Sequence, residues 1–403
     1  MFLLNVLRHR MLMKFYGVAA RFMPNPRPMV FAGSGSSVRL CQLIRGYGVD
    51  RVLLVTDAAL VKFDLHRQIV EHLQRLGVEV RVFDQVEPNP TEQQMNAGIA
   101  IAKAFEANAV LAVGGGSPMD AAKIIAAGVT NDMPIARMEG AFKLKKRPLP
   151  LFAVPTTAGT GSEVTIAAVV ANTEQRRKYT VADTKMVPYA TALDPDLMLG
   201  LPPHVTAATG MDVLTHAVEA FICTRANESV RINARVAIGL VFKHLRTAYR
   251  SGSNVDAREA MAIASYHAGM AISDVAVGYV HAIAHQLGGL YHVPHGLANA
   301  VILPHILQFS KDKVITQLAE LALLIGAGEE TESSIVLAQR FIDEVRLLSR
   351  DLDIPGALPV IESKDVRLIV QRAMTEAFTF FAVPKYMNAE EGARLVYQIK
   401  GAA

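Results

Sequence analysis

AVLAVGGGSPMDAAKIIAAG, residues 109–128, is the stretch whose reading decides the fold. A short apolar run reads as a buried strand, runs into three glycines, and gives way at once to an alanine-rich helical pattern. Glycines at such a junction let backbone N–H groups approach an anion, and the helix N-terminus adds partial positive charge. The same turn also arises for steric reasons alone. Upstream, RVLLVTD (51–57) and VEVRVFD (78–84) read as strands, with helical stretches from about Leu60 to Leu76 and over 92–107. This β-α-β-α-β rhythm predicts a mostly parallel, doubly wound α/β sheet. PLFAVPTTAGTGSE (150–163) adds a strand that ends in a loop of small residues. GSGSSV (33–38) lacks the third glycine of a dinucleotide fingerprint and follows no clear strand, so it reads as a turn. Past LPP (201–203) long alanine-rich periods take over. The chain therefore divides into an N-terminal extension (1–27), an α/β domain (28–200) and an all-α domain (201–403).

Composition narrows the function. With 51% hydrophobic and 19% charged residues among 403, the chain is an ordinary globular protein with ample core. A net charge of +4 is too dilute for nucleic acid, and KLKKR (143–147), the densest basic run, reads as a solvated loop. Cys41 and Cys223 lie far apart with no CxxC spacing, which points to a reducing, cytoplasmic setting rather than a disulfide framework. The first 27 residues are basic and apolar, with no acid before Asp50. They read as a basic amphipathic helix docked on the protein or on a neighbouring subunit. Contact with a membrane surface or a targeting role are the alternatives.

Asp57 ends a strand where an open α/β sheet presents ligands. A carboxylate there either accepts hydrogen bonds from an adenosine ribose and repels a 2′-phosphate, or simply caps the next helix. In PTTAGTGSE, Thr156, Thr157, Thr160 and Ser162 offer hydroxyls to a phosphate or ribose. Three such features at consecutive strand ends favour a nucleotide crevice. Further on, Asp212 and His216 stand four apart in a helical pattern and share a face. His281 and His285 repeat that spacing, and His295 follows a Gly-Gly turn and a proline. A carboxylate with several imidazoles suits Fe(II), Zn(II) or Mn(II). Spacing alone favours the His281/His285 pair and leaves His295 undecided. His292 and His305 read as ordinary polar residues.

The motifs GGGSPMDAAK, PTTAGTGSEVT, RRKY, LPPHVTAATGMDVLTHAVEAF and HAIAHQLGGLYHVPHGLANAVILPH, in this order over residues 30–310, resemble the iron-containing (group III) alcohol dehydrogenase family. The resemblance implies a Rossmann-like NAD(P) domain and an all-helical domain, the dehydroquinate synthase-like architecture, with the active site in the cleft between them. It implies that Asp212, His216, His281 and His295 bind the metal, Fe(II) with Zn(II) as the alternative. His285 then sits beside the nicotinamide without binding the ion, as a candidate to relay the alcohol proton. Cofactor contacts carried over are Asp57, Asn89, Gly115, Gly116, Ser117, Asp120, Thr156, Thr157, Thr165, Lys178, Leu197 and Gly200. An acid at Asp57 goes with NAD rather than NADP. The implied activity is reversible hydride transfer between a small alcohol and its aldehyde or ketone. A polyol dehydrogenase, a lactaldehyde reductase or a hydroxyacid–oxoacid transhydrogenase are alternatives on the same scaffold. A homodimer or larger homo-oligomer is expected. The long N-terminal extension and the ending VPKYMNAEEGARLV depart from the family pattern.

Overall fold

The computed structural model describes residues 2–20, 25–173 and 177–401. Residues 1 and 21–24 of the N-terminal extension, and Arg176 of RRKY, lie outside the described residues. The strands are β1 (Met29–Ala32), β2 (Arg51–Val55), β3 (Glu79–Phe83), β4 (Ala109–Gly114), β5 (Gly140–Ala141), β6 (Leu151–Pro155), β7 (Ala167–Asn172), β8 (Arg177–Ala182) and β9 (Ala190–Leu193). The helices of this part are α2 (Ser36–Gly46), α3 (Ala58–Lys62), α4 (Arg67–Arg75), α5 (Glu92–Ala104) and α6 (Gly116–Thr130), preceded by α1 (Phe2–Ala20).

Six strands form a wholly parallel sheet in the order β3-β2-β4-β6-β9-β1. Its inner strands β2, β4 and β6 are almost wholly apolar and buried because both faces are covered there. Leu53, Val55, Val110 and Ala112 enter one core cluster, with residues of α5 and α6. Val52, Leu54, Leu111 and Val113 enter the other, with residues of α2 and α4. The chain leaves β2 outward to β3 and returns on the other side to β4, so the sheet reverses direction between β2 and β4. Ligands bind open α/β sheets at the carboxyl ends of strands flanking such a reversal. Asp57 follows one of these ends and the glycine triplet ends the other. β7 and β8 pair antiparallel and, with β5, make a small second sheet that the strand pattern did not announce.

Three local readings need correction. A strand does precede GSGSSV: β1 is an edge strand of four residues, too short and too exposed for a buried-strand pattern. The turn itself is as read, and its amides are occupied. Asp194 accepts from Gly35 N, Ser37 N and Ser37 Oγ at 3.2, 3.0 and 2.6 Å. The helical stretch from Leu60 to Leu76 is two helices, broken where Asp64 takes φ 61°. Finally, α1 is not amphipathic in the one-sided sense. Val6, His9 and Met13 are buried while Leu7, Met11 and Phe15 are exposed, so apolar residues occupy two opposite faces.

From residue 203 on the described chain is helical: α7 (Pro203–Ile222), α8 (Glu228–Arg250), α9 (Val255–Val275), α10 (Tyr279–Tyr291), α11 (His295–Ser310), α12 (Ile315–Leu324), α13 (Ser334–Asp351), α14 (Val366–Phe380) and α15 (Ala389–Lys400). Two compact units result, one of residues 24–201 with 253–266, the other of 1–23, 202–252 and 267–403. The division differs from the expected 28–200 and 201–403 in two places. The extension joins the helical unit through α1, whose His9 Nδ1 lies 3.0 Å from Tyr386 Oη. The first half of α9 joins the sheet unit, where buried Arg258 donates to Leu201 O at 3.1 Å. Cys41 and Cys223 are free and buried, and burial pushes the Cys41 thiol up to about 12, so it is inert as a nucleophile.

Gly114 holds the turn that aims α6 at the sheet reversal. Its φ is 153°, and a Cβ there would stand 2.6 Å from Pro118 Cγ. Gly114→Ala is expected to cost about 2–4 kcal/mol of stability from backbone strain and overpacking together. Gly46→Ala, where an added Cβ meets nothing within 4 Å, should stay within about 0.5 kcal/mol of the parent. Urea midpoints of the two variants check the contrast.

Candidate metal centre and nucleotide loops

Helix α7 is buried on every side from Gly210 to Ile222, so each polar residue inside it needs a partner. Asp212, His216 and Glu219 are 2%, 5% and 6% exposed. The ligand atoms of Asp212, His216 and His281 all lie within 4.8 Å of one another. Three imidazole Nε2 atoms converge on one carboxylate oxygen: His216, His281 and His295 stand 3.9, 3.7 and 3.7 Å from Asp212 Oδ1. Two donors on one ion at about 2.1 Å in tetrahedral array are about 3.4 Å apart, so this spacing is within a few tenths of an ångström of a coordination shell. His295 joins the group through Asp212 and is the most exposed of the four, with 39% of its side chain accessible.

Asn299 marks the point of convergence. Its Nδ2 lies 2.6 Å from Asp212 Oδ1, 3.1 Å from His281 Nε2 and 3.2 Å from His295 Nε2. An amide NH₂ has two hydrogens and cannot satisfy three acceptors; a divalent cation can. The donor set therefore fits a transition-metal ion.

Glu219 prepares one of those donors. Its Oε2 accepts from His281 Nδ1 at 2.7 Å, so that Nε2 is the ring nitrogen turned toward Asp212. The same carboxylate accepts from Gly278 N and Val280 N at 2.8 and 2.7 Å and so caps the start of α10. Gly278 is glycine for this reason, since a Cβ would sit 2.7 Å from Glu219 Oε1. Gly296 serves the neighbouring approach: its missing Cβ would stand 2.3 Å from Ala208 O, so α11 and α7 meet closely enough to bring His295 to Asp212.

Electrostatics separate the four groups. Burial opposes ionisation of Asp212, but the imidazoles of His216, His295 and His281 outweigh it and hold the carboxyl far below its usual range. Burial also works against a charged His281, yet Asp212 and Glu219 raise it to about 9. His295 is lowered to about 3 by burial and by its histidine neighbours, against the pull of Asp212. His285 stands beside this group, its ring stacked on His295 at 5.5 Å and edge-on to His281 at 6.0 Å. Its Nδ1 pairs with Glu376 Oε1 at 2.7 Å. His292 is exposed, with φ 55°, and ends α10; His305 lies further along α11.

In the sheet unit, Asp57 Oδ1 accepts from Leu60 N at 2.9 Å and caps α3. Gly115 and Gly116 open α6, with Ser117 next and half-buried. A Cβ on Gly116 would stand 2.7 Å from Thr160 Cγ2, and one on Gly115 3.3 Å from Thr157 Oγ1, so the loops after β4 and β6 touch. Thr156 is buried and Thr157 half-buried. Ser162 is not free to reach a ligand, as the sequence suggested. Its Oγ donates to Asp120 Oδ1 at 2.8 Å and accepts from Lys123 Nζ at 3.0 Å. Thr165 is also turned inward, its Oγ1 accepting from Lys123 at 2.9 Å. Lys178 Nζ donates to Asn89 Oδ1, whose residue takes φ 62°. Leu197 is buried and Gly200 exposed.

Residues 26–195 match the family model of iron-containing alcohol dehydrogenases, and residues 206–398 match that family's C-terminal model. The chain belongs to the iron-containing alcohol dehydrogenase family. It is 37% identical over 354 residues to alcohol dehydrogenase 4 of Saccharomyces cerevisiae (87% of this chain, 91% of that one). It is 40% identical over 362 residues to 1,3-propanediol dehydrogenase of Klebsiella pneumoniae (89% and 92%). A crystal structure of a 1,3-propanediol oxidoreductase superposes with TM-score 0.90 at 37% identity, covering 93% of this chain and 99% of that one. The protein is thus a metal-dependent alcohol dehydrogenase, an oxidoreductase with the Rossmann-like and helical parts of this family.

Glu219, Asn299, Glu376 and Lys123 escaped the reading of residues. Glu219 and Asn299 left a trace, a second acid in an apolar helix and an amide four residues after His295. Glu376 left none. Losing the carboxylate charge in Glu219→Gln should weaken metal retention 10–100-fold, read as metal content in chelator competition. A second expectation concerns Glu163, whose carboxyl burial pushes from its ordinary 4.5 up to about 7, against its own backbone amide and Lys123. The folded state then holds a proton that the unfolded chain releases, so this group makes stability fall as pH rises from about 4.5 to about 7. Glu163→Gln should therefore gain on the parent between pH 5 and pH 8 in denaturant midpoint. An unchanged difference across that range rejects the argument.

Proposed function

We propose that Asp212, His216, His281 and His295 hold one divalent iron ion, and that the enzyme uses NAD to interconvert a small primary alcohol and its aldehyde. The observation that carries this reading is the convergence of three imidazole Nε2 atoms on Asp212 Oδ1 around the Asn299 amide. Zinc shares these ligand types, and the family's description favours iron. Relatives named for 1,3-propanediol, methanol and lactaldehyde favour short alcohols and diols. Asp57, at the sheet reversal, favours NAD, because its carboxylate accepts ribose hydroxyl hydrogen bonds and repels a 2′-phosphate. Two free buried cysteines suit a reducing compartment.

A bound ion supplies Lewis acidity toward the substrate oxygen, and the nicotinamide accepts or returns the hydride. The chain's own residues do the rest. Glu219 holds His281 by Nδ1 and so aims its Nε2 at the ion site. Glu376 holds His285 by Nδ1, which leaves Nε2 as the atom that takes or returns the alcohol proton. The amides at Gly115, Gly116 and Ser117 begin α6 and present positive potential to a pyrophosphate. Lys123, beneath the adjoining loop, donates to Ser162, Thr165 and Ala167 and keeps that loop in register.

Elemental analysis after anaerobic purification, followed by a panel of alcohols and diols with NAD and NADP, tests the reading. About one iron per chain and NAD reduction by short alcohols are expected. Zinc alone in active protein, or no pyridine-nucleotide reduction with any alcohol, overturns it. His285→Phe should keep its metal while kcat falls about 10²–10⁴-fold. Asp57→Ser should narrow the preference for NAD over NADP by about tenfold, roughly 1.4 kcal/mol.

A further inference from the structure

Among the described residues, only one of the two apolar faces of α1 is buried. On the inner face Val6, His9 and Met13 are 9%, 3% and 5% exposed. His9 is keyed there by its contact with Tyr386 and by ring packing on Phe378 at 5.4 Å. On the outer face Leu7, Met11 and Phe15 follow one another at every fourth residue and are 51%, 61% and 67% exposed. At 1.5 Å per residue they form a ridge about 12 Å long. At 100° per residue, Arg8 falls to one side of this ridge and Lys14 to the other, and both are exposed. No Asp or Glu occurs in the chain before Asp50.

An apolar ridge bordered on both sides by cations is complementary to a surface that is anionic at its rim and apolar beneath. We propose that the outer face of α1 docks the enzyme on an anionic phospholipid surface. Leu7, Met11 and Phe15 enter the boundary between headgroups and acyl chains, and Arg8 and Lys14 meet the lipid phosphates. The helix lies on the surface rather than crossing it, because its inner face is committed to Tyr386 and Phe378. No single described helix is long and apolar enough to span a bilayer. Self-pairing of α1 about a two-fold axis fits less well. It would set Arg8 and Lys14 against the same cations of the second copy, with no carboxylate on the helix to separate them.

The test is co-sedimentation of the full-length enzyme with phosphatidylcholine vesicles, with and without phosphatidylglycerol. Binding is expected only with the anionic lipid, and it should weaken when NaCl is raised to about 0.5 M. The triple variant Leu7→Ser, Met11→Ser, Phe15→Ser keeps every charge. It should lose at least tenfold in binding while its vesicle-free alcohol oxidation rate and melting temperature match the parent. Arg8→Gln with Lys14→Gln should lose a comparable amount. Three results overturn the proposal: parent enzyme left in the supernatant; a triple variant that binds as well as the parent, which assigns binding to net charge alone; or no vesicle binding together with an oligomer that the triple variant dissolves, which assigns the face to a second copy.

Discussion

A carboxylate in a helix that water does not reach is the constraint from which the helical unit follows. Asp212 is 2% exposed inside α7, and an unpaired charge there would cost several kcal/mol. Imidazoles arrive from three directions to answer it: His216 from the next turn of α7, His281 from α10 and His295 from the first turn of α11. Each arrival has its own enabling residue. Glu219 and Gly278 bring the start of α10 against α7, and Gly296 lets α11 come within reach of Ala208 O. The geometry shows that side chains alone do not complete this arrangement. Asp212 Oδ1, His281 Nε2 and His295 Nε2 all face the two hydrogens of one Asn299 amide. One cation shared by all the lone pairs removes that conflict.

The sheet unit places its buried charge differently. Lys123, 1% exposed, sits under the loop after β6 with Asp120 and Glu163 near it, and burial lowers it to about 8. Its ammonium is committed to Ser162, Thr165 and Ala167. That makes it a strut for loop 156–165, which in turn packs on the glycines that open α6. In α7 buried charge collects lone pairs on one point, which suits an ion. Around Lys123 it holds backbone segments together, which suits a rigid anion-binding turn. Both use the same rule, that a desolvated charge must be surrounded by fixed dipoles.

Most of the sheet was legible because a strand buried on both faces writes itself as an unbroken apolar run, as in RVLLV and AVLAVG. What escaped were elements without such a run: the exposed edge strand MVFA, and the small sheet of β7 and β8 with mixed burial. Within the candidate centre, i,i+4 spacing places Asp212 and His216 on one helix face, where they stand 3.9 Å apart. The same rule favoured His281 with His285. The structure turns His285 toward Glu376 and sends His281 toward Asp212 instead. Periodicity says which residues share a face, and is silent on which neighbour that face meets. His295 and Asn299 depend on the angle between α11 and α7, a tertiary quantity set by the absent Cβ of Gly296. The resemblance to a known family supplied His295 where spacing could not. Neither spacing nor resemblance pointed to Glu376.

The way the donors are held also bears on how ion binding and folding are related. In small zinc domains the ligands meet only when the metal organises the chain, so binding energy is folding energy. Here α7, α10 and α11 pack through fully buried side chains such as Val213, Leu214, Ile283 and Ile302, independently of any ion. His281 is oriented by Glu219, and Asn299 bridges to Asp212, before a cation is considered. An ion held there would meet a preformed set of donors and would not have to supply the energy to assemble them. Its binding would be left for selectivity, while the packed core supplies most of the helical unit's stability. His295, the most accessible donor and the first residue of its helix, is the member of the set that stands nearest to solvent. The centre is therefore closed on the α7 and α10 side, and its open edge lies at α11.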